Sequence, residues 1–312
     1  MSEGRQRPKR SRQPANRPYT YTVSGQPMAA KPLAPGLYLV ATPIGNLGDI
    51  TFRALETLAA ADMIACEDTR VTHRLLERYG ISSTLSPYHE HNAQAARPKI
   101  LERLAQGAAI ALVSDAGTPL ISDPGYKLVR AALEAGHMVT ALPGASSVLG
   151  ALAAAGLPTD RFFFEGFLPA KQVARRTRIG ELAGIPATLV LFETGPRLAN
   201  ALADLAAAFG QREAAICREL TKLHEEIRRG DLAALAAAYA QGGETRGEFV
   251  IVVAPPSAQA AMPDAADVDD LLRRALADAS LKDAVSAVAE VTGMARRDVY
   301  QRALLLAKTE NK

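Results

Sequence analysis

Residues 108–125 constrain the fold more than any other part of the chain. An apolar run over 108–113 gives way to Ser114-Asp115-Ala116-Gly117-Thr118-Pro119-Leu120-Ile121-Ser122-Asp123-Pro124-Gly125, followed by a helical pattern with Tyr126, Val129 and Leu133 on one side. A short apolar run closed by turn residues reads as a buried strand. Asp123 is placed to cap the helix, and Pro124 suits its first turn. A strand that passes through glycine and proline directly into a helix is the unit of an open α/β sheet, where ligands collect at the carboxyl ends of strands. Two companions repeat the pattern. Thr42-Pro43-Ile44-Gly45-Asn46-Leu47-Gly48-Asp49 follows a strand over 37–41, and Pro143-Gly144-Ala145-Ser146-Ser147 follows one over 139–142. Three such turns are expected to form one pocket rim.

Residues 1–34 are rich in Arg, Pro, Gln and Ser and lack periodicity, so they are expected to be a disordered basic tail. Such a tail either holds phosphate backbone or is a solvated extension. From residue 35 strands and helices alternate to residue 156: strands over 37–41, 63–67 and 108–113, helices over 51–60, 71–79 (after a polar turn over 68–70) and 94–106. That order predicts a mostly parallel sheet with helices on both faces, an N-terminal α/β domain over 35–156. A second α/β domain is expected over 157–254. Its strands lie over 161–167, 187–192, 214–217 and 249–253, its helices over 171–182 and 197–209, and a further helix is capped by Asp231. Residues 255–266 read as a Pro/Ala-rich linker, and 267–312 as two or three amphipathic helices. These form either a helix-turn-helix-like unit or a helical appendage.

With 312 residues and 48% hydrophobic content the chain can fill two domain cores. No apolar run reaches membrane-spanning length, and the first residues lack the apolar core of a secretory signal. Cys66 and Cys217 each sit in an apolar run, which predicts buried free thiols in a reducing compartment. The net charge of +3 misleads, because Arg5, Arg7, Lys9, Arg10, Arg12 and Arg17 face only Glu3 in the first eighteen residues. The remainder is slightly acidic, so nucleic-acid binding needs a local patch. One candidate is Lys171, Arg175 and Arg178, spaced to share a helix face and contact RNA phosphates.

The dinucleotide Gly-x-Gly-x-x-Gly fingerprint, the Gly-Lys-Ser/Thr phosphate loop and the Gly-x-Ser-x-Gly elbow are all missing. Glycine turns without them suit a partly polar ligand gripped by backbone groups, with Asp115 supplying a carboxylate. His89-Glu90-His91 invites a metal reading, yet no third ligand with defined geometry accompanies it, and no metal is expected. Glu67-Asp68-Thr69-Arg70 stands at another strand end, either facing the same rim or capping the next helix. The charged stretch 218–226 is either a solvated edge or a cleft wall.

Taken together, Thr-Pro-Ile-Gly-Asn-Leu-Gly-Asp, Glu-Asp-Thr-Arg, Tyr-His-Glu-His-Asn, Ser-Asp-Ala-Gly-Thr-Pro-Leu-Ile-Ser-Asp-Pro-Gly and Glu-Leu-Thr-Lys-Leu-His-Glu-Glu occur in this order. The chain thereby resembles the tetrapyrrole methylase superfamily over about residues 36–307, and within it the branch that methylates a cytidine ribose 2′-hydroxyl in 16S rRNA. The resemblance implies two α/β domains with the ligand cleft between them, plus a small C-terminal helical unit. It implies S-adenosylmethionine as methyl donor, the small ribosomal subunit as partner, a cytoplasmic setting and a homodimer. It places the donor at Pro43 and Gly45, at Asp115, Ala116, Gly117, Thr118, Pro119, Ile121 and Ser122, and at Ala145 and Ser146. Glu90, His89 and Glu67 are candidates for taking the hydroxyl proton. Phe192-Glu193-Thr194-Gly195-Pro196-Arg197 departs from the family's aromatic-Glu-Ser-Pro-His-Arg form. The alternatives are a small-molecule methyltransferase of the same fold and a ribosome-binding assembly factor without turnover.

Overall fold

The computed structural model describes residues 19–256, 265–292 and 294–310. Residues 1–18 of the expected tail and most of the expected linker lie outside them. The chain opens on a hairpin, β1 (Thr20–Val23) and β2 (Gln26–Ala29), joined at Ser24 and Gly25. Both turn residues have positive φ, the geometry of a type I′ hairpin turn. Tyr21 is buried, and Thr22 N donates to Tyr79 O at 2.7 Å. The expectation of disorder through residue 34 is thus corrected for this segment: one buried aromatic anchors it where composition shows only polarity.

The first domain runs β3 (Gly36–Val40), α1 (Phe52–Ala60), β4 (Met63–Cys66), α2 (Thr69–Arg78), β5 (Leu85–Pro87), α3 (Ala93–Ala105), β6 (Ala109–Val113), α4 (Tyr126–Glu134) and β7 (Val139–Leu142). Its sheet is parallel throughout in the order β5-β4-β6-β3-β7. Alternate side chains go to opposite faces. Tyr38, Val40, Ile64 and Cys66 pack with Leu55 and Leu58 of α1 and Leu76 of α2, whereas Leu37, Met63, Ile110 and Leu112 pack with Ile100 of α3 and Leu128 of α4.

Next come α5 (Ser147–Ala155), β8 (Phe162–Phe167), α6 (Gln172–Leu182), β9 (Thr188–Thr194), α7 (Gly195–Phe209), β10 (Glu213–Arg218), β11 (Glu226–Asp231), α8 (Leu232–Ala240) and β12 (Glu248–Val253). The second sheet has the order β11-β10-β12-β9-β8 and is mixed: only β8 and β9 run parallel. Asp231 caps α8 as expected. Helices α6, α7 and α8 cover one face around Leu189, Leu191, Ile216 and Ile251. The other face receives α5, whose Val148, Ala151, Leu152 and Ala155 join Val190, Ala215, Cys217 and Val252. The expected boundary at residue 156 is therefore misplaced, because α5 buries its apolar stripe on the second sheet.

Helices α9 (Ala265–Asp278), α10 (Leu281–Thr292) and α11 (Arg296–Glu310) close the chain around Leu272, Val285, Val288, Val299 and Ala303. The Ser280 hydroxyl accepts from Asp283 N, capping α10. No helix among the described residues is long and apolar enough to cross a membrane.

Candidate active site

The parallel sheet delivers β3, β6 and β7 side by side, so the three glycine-proline turns leave the same sheet edge. They are joined to one another. Thr42 N donates to Gly117 O and Gly117 N to Thr42 O, both at 2.9 Å. The Thr118 hydroxyl donates to Ala145 O at 3.1 Å, and the Thr42 hydroxyl to Ser114 O at 3.2 Å. Gly117 has φ +80°, a left-handed conformation that suits glycine, and a Cβ there would press on Ile44.

This rim forms one wall of a cleft of about 1020 Å³, its solvent-facing mouth included, and the second domain forms the other. Ala116, Gly117, Thr118, Ile121, Ser122 and Ser146 line it as the sequence suggested, together with Ile44. Pro43, Gly45 and Asp115 line an adjoining recess that shares Ile44, Ala116, Lys222 and Glu248 with the cleft. Pro119 is buried behind the turn, and Ala145 contributes its carbonyl to the Thr118 hydroxyl. Apolar side chains line it, Ile44 from the first turn and Val148, Phe167, Phe192, Leu220 and Val250 from α5 and the second sheet with its loops, and they suit a flat or aliphatic ligand body.

The charged stretch 218–226 is cleft wall in part: Leu220 and Lys222 line the cleft, while Leu223, His224 and Glu225 are exposed. Thr221 accepts from Asn46 N at 3.1 Å, and Lys222 donates to Glu219 at 2.9 Å and to Glu248 at 2.8 Å. Burial alone would lower the Lys222 ammonium, yet the hydrogen bonds from it to Glu248 and Glu219 hold its pKa above the ordinary lysine value. Among the described residues five non-glycine positions have left-handed φ, and four of them flank this cleft: Leu120 and Ser122 on one side, Glu219 and Thr221 on the other. Strained backbone of this kind persists where the surroundings over-determine it, as binding sites do.

The carboxylates gather next to the rim. Asp115 Oδ1 accepts from Asp68 N at 2.9 Å, tying the end of β4 to the β6 turn. The Glu67–Arg70 stretch divides its labour. Asp68 caps α2 and pairs with Arg70, whose hydrogen bonds lower its pKa to about 2. Glu67 turns instead into a separate cavity with Tyr88, Glu90, Arg97, Tyr126 and Lys127, which meets the cleft at Ser122 and Asp123. Burial raises the Glu67 pKa, helped by the charge of Asp115 and opposed by His89. His89 itself does not line the cavity; its backbone N–H donates to Asn92, and its Nδ1 is buried without a hydrogen-bond partner.

Asp123 departs from its expected role. Helix α4 starts at Tyr126 with Gly125 in the capping position and no side-chain cap. The Asp123 carboxyl is half-buried where the two cavities meet, and burial raises its pKa to about 6; Glu67 and Asp115 reinforce the rise, and the Ser114 hydroxyl opposes it. Sequence reasoning missed it because Asp-Pro-Gly before a helix reads as a cap. It also missed Glu193, which is buried at the cleft wall. Glu193 Oε1 accepts from Thr194 N at 2.8 Å, and Oε2 lies 3.2 Å from the Arg197 guanidinium without hydrogen-bond geometry.

The cationic stripe is corrected. Arg175 is buried and paired with Asp204, and Arg178 is held by Glu165 and Glu181. Of the three, only Lys171, at the N-cap of α6, is an exposed charge without an ion pair among the described residues. Equal helical spacing does not reveal which face is inward. Here the face bearing Arg175 packs on α7, so the charges serve the fold rather than a phosphate path. Both cysteines are free and buried, and burial pushes the Cys217 thiol up to about 11, far from a reactive thiolate. Among the described residues no group of three or more His, Cys, Asp or Glu is placed to hold a metal.

The family model of the Tetrapyrrole (Corrin/Porphyrin) Methylases matches residues 36–236, and that of the RsmI C-terminal HTH domain matches residues 262–307. A Mesorhizobium japonicum protein named Ribosomal RNA small subunit methyltransferase I is 53% identical over 281 residues, covering 90% of this chain and 95% of that one. An Erythrobacter litoralis protein of the same name is 52% identical over 278 residues, covering 89% and 98%. Among solved structures, diphthine synthase superposes with a TM-score of 0.54 at 18% identity, over 70% of this chain and 89% of that one. Cobalt precorrin-4 methyltransferase gives 0.52 at 19% identity, over 70% and 94%. These two likenesses concern the fold.

Proposed function

The chain belongs to the tetrapyrrole methylase family and is a methyltransferase, and we propose that it transfers the methyl group of S-adenosylmethionine to the ribose 2′-hydroxyl of a cytidine in 16S rRNA of the small ribosomal subunit. The observation that carries this reading is the wall made by three hydrogen-bonded turns in a cleft with an apolar lining. Pro43 and Gly45, Asp115 to Ser122 and Ala145-Ser146 are the donor-binding residues in this reading. The fit to such a donor rests on the residues present. Ile44, Val148, Phe167 and Phe192 suit a planar base and a thioether, and the turn backbone and Ser146 supply polar contacts. The buried Glu193 Oε2, without a hydrogen-bond partner at the cleft wall, suits a donor N–H or hydroxyl.

When bound, the donor supplies a sulfonium methyl for in-line displacement. The protein's part is then to orient the hydroxyl, exclude water and accept a proton. Glu67 and Glu90 line the cavity from which the acceptor would approach, and His89 tunes Glu67 from behind. The acceptor is read from the names of the curated relatives, 52–53% identical over about nine-tenths of the chain. Because Arg175 and Arg178 of α6 are paired within the domain, the basic residues of this helix do not favour RNA over a small molecule as acceptor.

The test uses methyl-labelled donor and the full chain with, in parallel, small subunits from a strain lacking the modification and a free tetrapyrrole. Label in 16S rRNA, mapped by mass spectrometry to one ribose-methylated cytidine, supports the reading. Label on a tetrapyrrole alone replaces it with the small-molecule activity. Binding to subunits without transfer replaces it with an assembly factor. The homodimer is tested by sedimentation of the same preparation.

A further inference from the structure

We propose that the cavity between α3 and α4 seats the acceptor nucleotide, with Arg97 and Lys127 holding its phosphodiester and Asp123, at the junction with the donor cleft, taking the hydroxyl proton. This rests on the RNA-methyltransferase reading above and adds the residues that would recognise the acceptor.

The lining of this cavity carries charges of both signs. Arg97 reaches it from α3 and Lys127 from the first turn of α4. Neither side chain has an ion pair or hydrogen bond among the described residues, and Arg97 Nε is buried without a partner. A buried, unmatched guanidinium N–H costs free energy that an anionic oxygen would recover. Arg197 and Arg212 also have a buried nitrogen without a partner, but each donates elsewhere, to Leu168 O and Ala183 O, whereas Arg97 donates to nothing among the described residues. Helix α4 also lacks a side-chain cap, so its first backbone N–H groups point the same way as an anion site would require.

Glu67, Glu90 and Asp123 line the same cavity. A bare anion would be repelled there, and a simple cation would be repelled by Arg97 and Lys127. A ligand with an anionic group at one end and hydroxyls at the other satisfies both, which is the constitution of a nucleotide. Tyr126, 63% exposed beside Lys127, offers a ring for the base, as RNA binders commonly do.

Asp123 is the carboxylate that belongs to both cavities: it lines the donor cleft with Ser122 and the acceptor cavity with Glu67. A hydroxyl presented from the Arg97 side toward the donor passes this residue. In the transfer the ribose oxygen forms its bond to the methyl carbon, the carbon–sulfur bond breaks with its electron pair going to sulfur, and the hydroxyl proton passes to Asp123. The charged groups around Asp123 are Glu67 just after β4, Asp115 from the β6 turn, and Glu90, Arg97 and Lys127 in the cavity lining. With its pKa raised to about 6, Asp123 is a stronger base than an ordinary aspartate and is still ionised at neutral pH.

The test takes the full chain with Arg97→Gln/Lys127→Gln and, separately, Asp123→Asn. Thermal melting and titration calorimetry with S-adenosylhomocysteine check folding and the donor cleft. The double variant is expected to raise KM for the small subunit about tenfold or more, the scale of a lost charged hydrogen bond, with kcat and S-adenosylhomocysteine affinity retained. Asp123→Asn is expected to lower kcat by about 100-fold and to remove the acid limb of the pH–rate profile. Unchanged KM in the folded double variant overturns the phosphate site. An acid limb that survives Asp123→Asn but disappears in Glu67→Gln moves the base to Glu67. If the wild type methylates no RNA, the functional reading above falls, and cytidine 3′,5′-bisphosphate then decides the cavity. Calorimetric binding lost in Arg97→Gln/Lys127→Gln upholds a nucleotide site, and absence of binding to the wild type removes it.

Discussion

Arg175 and Asp204 form an ion pair inside the second domain: the guanidinium lies 2.6 Å from the carboxylate, with side chains 6% and 4% exposed. Arg176 reaches the other carboxylate oxygen at 2.7 Å. Burial alone would raise the Asp204 pKa, but the hydrogen bonds from Arg176 and Arg175 hold it below the usual aspartate value.

Asp204→Asn should therefore destabilise the protein by about 3–5 kcal/mol, because it leaves a buried guanidinium without its counter-charge. The wild-type contribution is present above the unfolded aspartate pKa of about 4 and is lost as pH falls through the lower folded value. Urea unfolding of the two proteins at neutral and acid pH measures both effects. Arg175→Gln should likewise reduce stability, and the salt slope of RNA binding by the folded fraction should stay as in the wild type. A shallower slope would return Arg175 to the RNA path.

Gly45→Ala should weaken donor binding. A Cβ at this position runs into the Lys222 side-chain stem, and Thr221 and Lys222 hold the second domain against the Pro43–Gly48 turn. Overpacking of this kind costs about 1–3 kcal/mol. Calorimetry with S-adenosylhomocysteine checks it, and full affinity in the variant would show that the interdomain contact is slack.

Asp115→Ala and Asp115→Asn should differ. The Asp115 carboxylate accepts from Asp68 N, and asparagine keeps an acceptor in the same place. Loss of that acceptor is expected to cost about 1–3 kcal/mol of donor affinity in the alanine variant, with most of it retained in the asparagine variant. Equal losses would assign the role to the negative charge.

Asp123→Asn should stabilise the fold at neutral pH even as it lowers activity. The folded pKa of about 6 exceeds the unfolded value of about 4, so the folded state binds the proton more tightly between them. Stability then falls as pH rises through that window and is reduced at pH 7. With the carboxyl only half-buried, solvent screening leaves a gain of about 1 kcal/mol for the variant. Urea midpoints at pH 5 and pH 7 show it as a difference that grows with pH.

The order of most strands and helices, the three turns and the motifs that run from Thr42 to Glu226 are local features, so the sequence carried them; the strands β1, β2, β5 and β11 it did not. Hydrophobic period and the fixed geometry of glycine and proline act over a few residues. That was enough to place β3, β6 and β7 and to group their turns at one rim. It also carried the family resemblance, because those motifs coincide with the cleft walls.

Partner choice across space was decided only by the tertiary structure. The spacing of Lys171, Arg175 and Arg178 is the same whether the helix face looks outward or inward, and packing of α6 on α7 decided it by bringing Asp204 to Arg175. Nothing local marks α5 as part of the second sheet; its apolar stripe was claimed by Val190, Ala215 and Val252, over thirty residues away in the chain. Tyr21 anchors a hairpin in a stretch whose average composition is polar, since burial of one aromatic depends on what surrounds it. Asp123 shows the same division. Its position before a helix suggests a cap, while the convergence of Glu67 and Asp115 on it, from strand ends more than fifty and about eight residues away, gives it a raised pKa at the meeting of two cavities. Electrostatic environment and burial depend on distance in space, and a one-dimensional pattern does not contain that distance.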